Sequence, residues 1–120
     1  MPVDAVIDGA VVAAESGLRV TKLNPATGTE LAHVTECGPA DVDRAVAAAR
    51  RSFESGVWSR CAPASRKAVL TRLADLIDEH ADELALLDTL DAGKPIADTT
   101  TIDVPGSAAI VRWYAEAIDK

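Results

Sequence analysis

The first residues to test for chemistry are the cysteines and histidines. Cys37 stands just before a helical pattern, a position that favours a reactive thiolate. A nucleophilic thiol also needs a base and an oxyanion-binding group. His33 lies on the preceding predicted strand, where it shares a face with Cys37 only at a distance. We therefore predict no catalytic residue in this chain and interpret Cys61 as a packed or half-exposed thiol.

Acidic residues on either side of His80 are the candidates for a metal site. They form the pairs Asp78-Glu79 and Asp82-Glu83. Adjacent residues of a helix do not point the same way, so these carboxylates do not converge on one ion. The pattern favours a solvated helix surface, with His80 at a helix end.

The segment Asp91-Ala92-Gly93-Lys94-Pro95 is typical of a helix C-terminus. Glycine adopts the left-handed conformation there, and a lysine meets the negative end of the helix dipole. The sequence has neither a Gly-x-Gly-x-x-Gly fingerprint nor a phosphate-binding loop. We therefore predict no cofactor-binding residue.

The predicted secondary structure around these residues changes from strands to helices along the chain. Two hairpins are predicted over about residues 5–35: Asp8-Gly9 supplies the first turn, and residues 25–28 supply the second. Residues 40–120 have helical periodicity. The predicted helices cover 40–55, a stretch starting near Pro63, 81–91 after a break at Glu79-His80, and a last one from Val104-Pro105.

The apolar spacing of the first helix predicts an amphipathic helix with one apolar face. That face contains Val42, Ala45, Val46, Ala49 and Phe53. The last helical pattern still runs at Lys120 without a stop signal, so we expect a chain that continues. The fold class is an α+β fragment of β-hairpins followed by about four helices.

Composition excludes several partners. The net charge of −7 disfavours binding to nucleic acid or to an anionic membrane surface. No apolar run approaches the roughly 20 residues that span a bilayer. The N-terminus does not resemble a secretion signal, and two separated cysteines suit a reducing compartment, so we expect a cytoplasmic protein.

Several segments, in order and at fitting spacings, resemble the aldehyde dehydrogenase superfamily over about residues 5–120. They are Ile7-Asp8-Gly9, Asn24-Pro25-Ala26-Thr27-Gly28, Asp41-Val42-Asp43-Arg44-Ala45-Val46, Ala48-Ala49-Arg50, Trp58, Arg66, Leu73-Ala74-Asp75-Leu76-Ile77, residues 87–96, Asp103-Val104-Pro105-Gly106 and residues 112–120. Residues 84–87 and 112–120 are most similar to γ-glutamyl-γ-aminobutyraldehyde dehydrogenases of putrescine breakdown.

The resemblance implies an oxidation of an aldehyde to a carboxylic acid with NAD or NADP. A cysteine thiolate attacks the aldehyde, hydride passes to the nicotinamide, and a glutamate-activated water releases the acid. In this family the nucleophile, the base, the oxyanion asparagine and the cofactor-binding segments lie downstream of the resembling region. Neither cysteine matches the nucleophile's motif, so the chain alone is expected to be inactive and to bind no cofactor.

Some members of the family hold a structural monovalent cation near the strand before Asn-Pro and the Asp of the Asp-x-Gly-Lys-Pro motif. The matching positions are Lys22 and Leu23, through their carbonyl oxygens, and Asp91. Oxygen ligands suit a hard cation. Lys22 departs from the pattern because it brings a positive charge to the site.

Three hypotheses remain open for residues 1–120. The chain is the leading part of an aldehyde dehydrogenase acting on a small aldehyde, or it is a non-catalytic remnant or self-associating helical module, or it is an independent helical binding module. The family role of the segment is structural, because its hairpins and helices pack onto the cofactor-binding domain. Alone, it should expose apolar faces and self-associate or pack loosely.

Overall fold

The structure, a computed structural model, describes residues 3–120, and these form two compact units that divide at Arg60. Residues 1 and 2 of the predicted segment lie outside the described residues. In the described part, two antiparallel hairpins precede the helices. This order confirms the predicted α+β fold class.

The first hairpin pairs strand β1 (Ala5–Ile7) with strand β2 (Ala10–Val12). Its turn has φ of 55° at Asp8 and 76° at Gly9, so both turn residues are left-handed. Two-residue turns of this kind match the twist of the flanking strands and favour Asp-Gly. The predicted turn is confirmed.

The second hairpin pairs strand β3 (Arg19–Leu23) with strand β4 (Glu30–Thr35). Its turn is held by Asn24, whose side-chain oxygen accepts the Ala26 amide at 2.9 Å. The Asn24 carbonyl accepts the amide of Gly28 at 2.7 Å. Gly28 has a φ of 71°, which explains why glycine ends this turn.

Asp4 links the hairpins. Its carboxylate accepts hydrogen bonds from the Arg19 guanidinium at 2.6 Å and from the Thr35 hydroxyl at 2.5 Å. The Thr35 amide donates to the Val3 carbonyl at 2.7 Å. Residues far apart in sequence are thereby joined at one edge of the first unit.

Helix α1 (Pro39–Ser55) ends where Gly56 turns left-handed and donates its amide to Phe53. The apolar face of α1 is not the face that the first unit covers. Ala48 and Asp41 are buried, whereas the large residues of the predicted apolar face are exposed: Val42, Val46 and Phe53. Periodicity identified residues that share a face but did not identify the face that the first unit covers.

The second unit begins with helix α2 (Pro63–Glu79) and helix α3 (Ala81–Ala92), which meet at His80. The predicted break at this point is confirmed. The His80 carbonyl accepts the amide of Leu84 at 3.0 Å, and the His80 amide donates to Leu76 at 3.1 Å. His80 therefore closes one helix and opens the next.

The last helix starts where it is predicted, near Val104-Pro105, but an unpredicted helical segment leads into it. Helix α4 (Ile96–Asp98) runs through a π-helical turn (Thr99–Asp103) into helix α5 (Val104–Ala117). Pro105 lies in the first turn of α5, and the wider turn before it accommodates its missing N–H and bulky ring. The Val104 amide bonds the carbonyl of Thr99, which shows the π spacing.

Small residues fill the core of the second unit. Ala74 and Ala85 are fully buried, and Ala108 and Ala115 are 1% exposed. Such residues let α2 and α5 pack closely but remove little apolar surface from water. Across residues 3–120, no helix is both long and apolar enough to cross a membrane.

Candidate functional site

The structure does not pair His33 with Cys37. One imidazole nitrogen of His33 lies 3.3 Å from the Thr21 hydroxyl, and the other lies 3.0 Å from a Glu30 carboxylate oxygen. Cys37 is exposed, and Cys61 is half-buried. The imidazole is thus engaged along the β3–β4 hairpin, and this arrangement does not provide a thiol with a base.

Two of the acidic residues near His80, Asp78 and Glu79, form ion pairs with arginines. Asp78 accepts from the Arg112 guanidinium at 2.6 Å, and Glu79 accepts from Arg72 at 2.6 Å. The Arg72 hydrogen bond lowers the pKa of the Glu79 carboxyl below its ordinary value. Within the described ranges, no group of three or more His, Cys, Asp or Glu side chains is placed to hold a metal ion.

The Asp91–Pro95 motif ends α3 and starts α4. Gly93 has a φ of 75° and donates its amide to Thr89 at 2.9 Å, as a left-handed helix cap does. Lys94 differs from the expectation that it meets the α3 dipole. Its ammonium pairs with the Asp103 carboxylate on the π-helical turn, and this hydrogen bond raises the pKa of Lys94. The lysine lies beyond the glycine, so the chain has already turned away from α3.

A partly buried hydroxyl pair connects α3 to the π-helical turn. Thr99 is fully buried, and its hydroxyl lies 2.9 Å from the Thr89 hydroxyl and 3.1 Å from the Ile96 carbonyl. A buried hydroxyl is tolerated only when it is hydrogen-bonded, as this one is. Sequence reasoning missed the pair because the two threonines belong to different elements.

Asp41 anchors α1 to the segment after the first hairpin. Only 2% exposed, it accepts the Gly38 amide at 2.9 Å, the Glu15 amide at 3.1 Å and the Arg44 guanidinium at 2.5 Å. The Gly38 and Glu15 amides, then Arg44, lower the pKa of the Asp41 carboxyl although burial opposes them. Glycine has no side chain to return this bond, so the contact between the Gly38 amide and the Asp41 carboxylate is one half of a capping box.

The residues proposed for a cation site belong to different units, Lys22 and Leu23 to the first and Asp91 to the second. Strand β3 has an irregular register between Lys22 and Leu23, where the pairing with β4 shifts. A bulge of this kind reorients the local backbone carbonyls. Asp91 is exposed in the last turn of α3. The three-residue cation site stays a prediction.

Comparison with known proteins gives the same assignment as the sequence resemblance. The aldehyde dehydrogenase family matches residues 11–120. An NADP/NAD-dependent aldehyde dehydrogenase of Escherichia coli is 51% identical over 95% of this chain and 23% of its own length. An aminoacetaldehyde dehydrogenase of Pseudomonas aeruginosa is 48% identical over 100% of this chain and 24% of its own.

A solved structure shows the same backbone. The crystal structure of a γ-glutamyl-γ-aminobutyraldehyde dehydrogenase from Burkholderia cenocepacia superimposes with a TM-score of 0.96 at 58% identity, over 98% of this chain and 24% of that one. The chain therefore spans about a quarter of the length of the relatives it matches. The sequence and the backbone match those of aldehyde dehydrogenases over nearly the whole chain. The chain therefore belongs to the aldehyde dehydrogenase family.

Proposed function

We propose that this chain is the opening part of an NAD(P)-dependent aldehyde dehydrogenase that oxidises an aldehyde to a carboxylic acid. The observation that carries the proposal is the family match over residues 11–120. The name of the Escherichia coli relative supports use of NAD or NADP.

The substrate class we propose is γ-glutamyl-γ-aminobutyraldehyde, as in putrescine breakdown. The 58% identity to the Burkholderia enzyme of that name supports it. The Pseudomonas relative is named for aminoacetaldehyde, another aldehyde that carries nitrogen on its chain. Both names favour a nitrogen-bearing aliphatic aldehyde.

The isolated chain is inactive in this proposal. Covalent aldehyde oxidation needs a thiolate, a base and an oxyanion-binding group at one place. Among the described residues, His33 is hydrogen-bonded to Thr21 and ion-paired with Glu30, and Cys37 lies on an exposed loop. The nucleophile and the cofactor-binding segments then come from a longer polypeptide.

Exposure of large apolar side chains favours a second candidate role, a self-associating module without catalysis. Examples on the described surface are Phe53 at 64%, Ile110 at 60% and Trp113 at 66%. Exposed apolar side chains that form a patch mark an interaction site or an aggregation-prone face.

Complementation in trans tests the proposal. The matched segment is deleted from the Escherichia coli relative, and the remainder is co-expressed with this chain. We expect each part alone to leave γ-glutamyl-γ-aminobutyraldehyde and NAD unchanged, and the mixture to form NADH. The deleted Escherichia coli segment, supplied in trans, is the positive control.

Two outcomes would contradict the proposal. Aldehyde oxidation by the chain alone would show that its own residues are sufficient for catalysis. Rescue by the Escherichia coli segment but not by this chain would show that the chain is not an equivalent part of such an enzyme.

A further inference from the structure

The π-helical turn between α4 and α5 places two buried residues on the same side of the helix although they are five residues apart. Thr99 and Val104 are both buried, and the Val104 amide bonds the Thr99 carbonyl. In an α-helix of 3.6 residues per turn, side chains five residues apart point about 140° away from each other. Here both are on the side of α3. The Thr99 hydroxyl lies 2.9 Å from that of Thr89, and Val104 lines a depression together with Leu84.

The buried face continues along α5 after the turn. Val104, Ala108 and Ala115 follow one another at intervals of four and seven residues, and all three are buried. Helix α5 packs mainly on α2, where these small side chains permit a close approach. The large apolar side chains of α5 are exposed instead: Ile110, Trp113 and Tyr114.

A regular α-helix through this segment would bury a different set of residues. Counted from Thr99 at 3.6 residues per turn, the positions on its side of the helix are Asp103, Ile110 and Tyr114. The Asp103 carboxylate, which pairs with Lys94 in the structure, would then be turned towards the core. An unpaired buried carboxylate is unfavourable, and large side chains in place of alanines overfill a closely packed interface.

We propose that the π-helical turn sets the rotational phase of α5. It contains one residue more than an α-helix needs between Thr99 and Val104, and that residue keeps the buried faces before and after the turn on one side. Pro105 provides a second, separate reason for the turn, because in a regular helix its ring clashes with the carbonyl four residues before it. The phase depends on residues of the second unit alone, so this inference is independent of the aldehyde chemistry.

The proposal predicts that one residue can be removed from the turn without loss of the packing. Deletion of Thr100, which is exposed, brings Thr99 and Val104 to the α-helical interval of four. Combined with Pro105→Ala, the deletion should give a continuous α-helix with the same buried face. Without that substitution it should lower Tm, because the proline then lies inside a regular helix.

Thermal unfolding of the 120-residue chain, followed by circular dichroism, tests this prediction. We expect the variant with the Thr100 deletion and Pro105→Ala to melt close to the Tm of the chain with Pro105→Ala alone. The matched control combines Pro105→Ala with deletion of Ala109, which is also exposed. That deletion rotates Ala115 by about 100° relative to Val104, so it should lower Tm by about 10 °C or more.

Tryptophan fluorescence measures the phase itself. In a Trp58→Phe background Trp113 is the only tryptophan, and its side chain is exposed. Quenching by acrylamide should be the same with the turn intact and in the variant that combines the Thr100 deletion with Pro105→Ala. Equal Tm values for the Thr100 and Ala109 deletion variants, whether high or low, would overturn the proposal. Protection of Trp113 from acrylamide in the Thr100 deletion variant would overturn it as well.

Discussion

The Thr89–Thr99 hydroxyl pair should be a main determinant of stability in the second unit. Thr99→Val keeps the volume of the side chain and removes its hydrogen bonds to the Thr89 hydroxyl and the Ile96 carbonyl, which measure 2.9 and 3.1 Å. Each net hydrogen bond is worth about 0.5–1.5 kcal/mol, so the loss is about 1–3 kcal/mol. For a unit of this size, 1 kcal/mol lowers Tm by about 4–8 °C.

Thermal unfolding followed by circular dichroism measures this effect at low protein concentration. Thr101→Val is the matched control, because Thr101 lies on the same π-helical turn but is exposed, with its hydroxyl 2.6 Å from the Ala97 carbonyl. We expect the control to shift Tm by much less than Thr99→Val. Equal shifts in the two variants would refute the reasoning that burial makes the Thr99 hydroxyl important.

Three further predictions concern other parts of the chain. The pKa of the Asp41 carboxyl is lowered from 3.8 in the folded chain. Its contribution to stability is therefore present above pH 3.8 and is lost as the pH falls through the pKa of the folded state. Urea unfolding across acid pH should show this loss, and Asp41→Asn but not Asp43→Asn should abolish it. Gly56→Ala should destabilise the chain by about 1 kcal/mol, because Gly56 has a φ of 76° and an added Cβ would meet the Arg60 side chain. Gly106→Ala in α5 should instead stabilise it by about 0.5–1 kcal/mol, because the added Cβ meets nothing within 4 Å. Chemical denaturation of the two variants compares these effects. Flame photometry should detect a monovalent cation that Asp91→Ala releases, and a metal-free wild-type chain would remove that site.

Local chemistry explains which elements the sequence could predict. Asp8-Gly9 needs only its own backbone preferences to form a turn, and Gly56 and Gly93 end helices for the same reason. The break at His80 follows from a lapse in periodicity. These features depend on neighbours within a few residues, so one sequence contains the information for them.

Features that depend on distant neighbours were not predictable in the same way. Asp41 is buried because the Glu15 amide and the Arg44 side chain reach it, and Glu15 is 26 residues away. The π-helical turn before α5 was not predicted, because Pro105 is compatible both with the first turn of a helix and with a preceding π-helical turn. The sequence alone does not choose between these two arrangements.

The small-residue cores and the exposed apolar faces of the chain have a common origin. Close packing of α2 on α5 requires alanine at Ala74, Ala108 and Ala115, and alanine contributes little apolar area. Large side chains such as Phe53 and Trp113 therefore lie outside the units, where they stabilise only when another surface covers them. Since hydrophobic burial is the main favourable term in folding, a large part of the stability available to this sequence depends on association, either with a longer dehydrogenase or with a second copy.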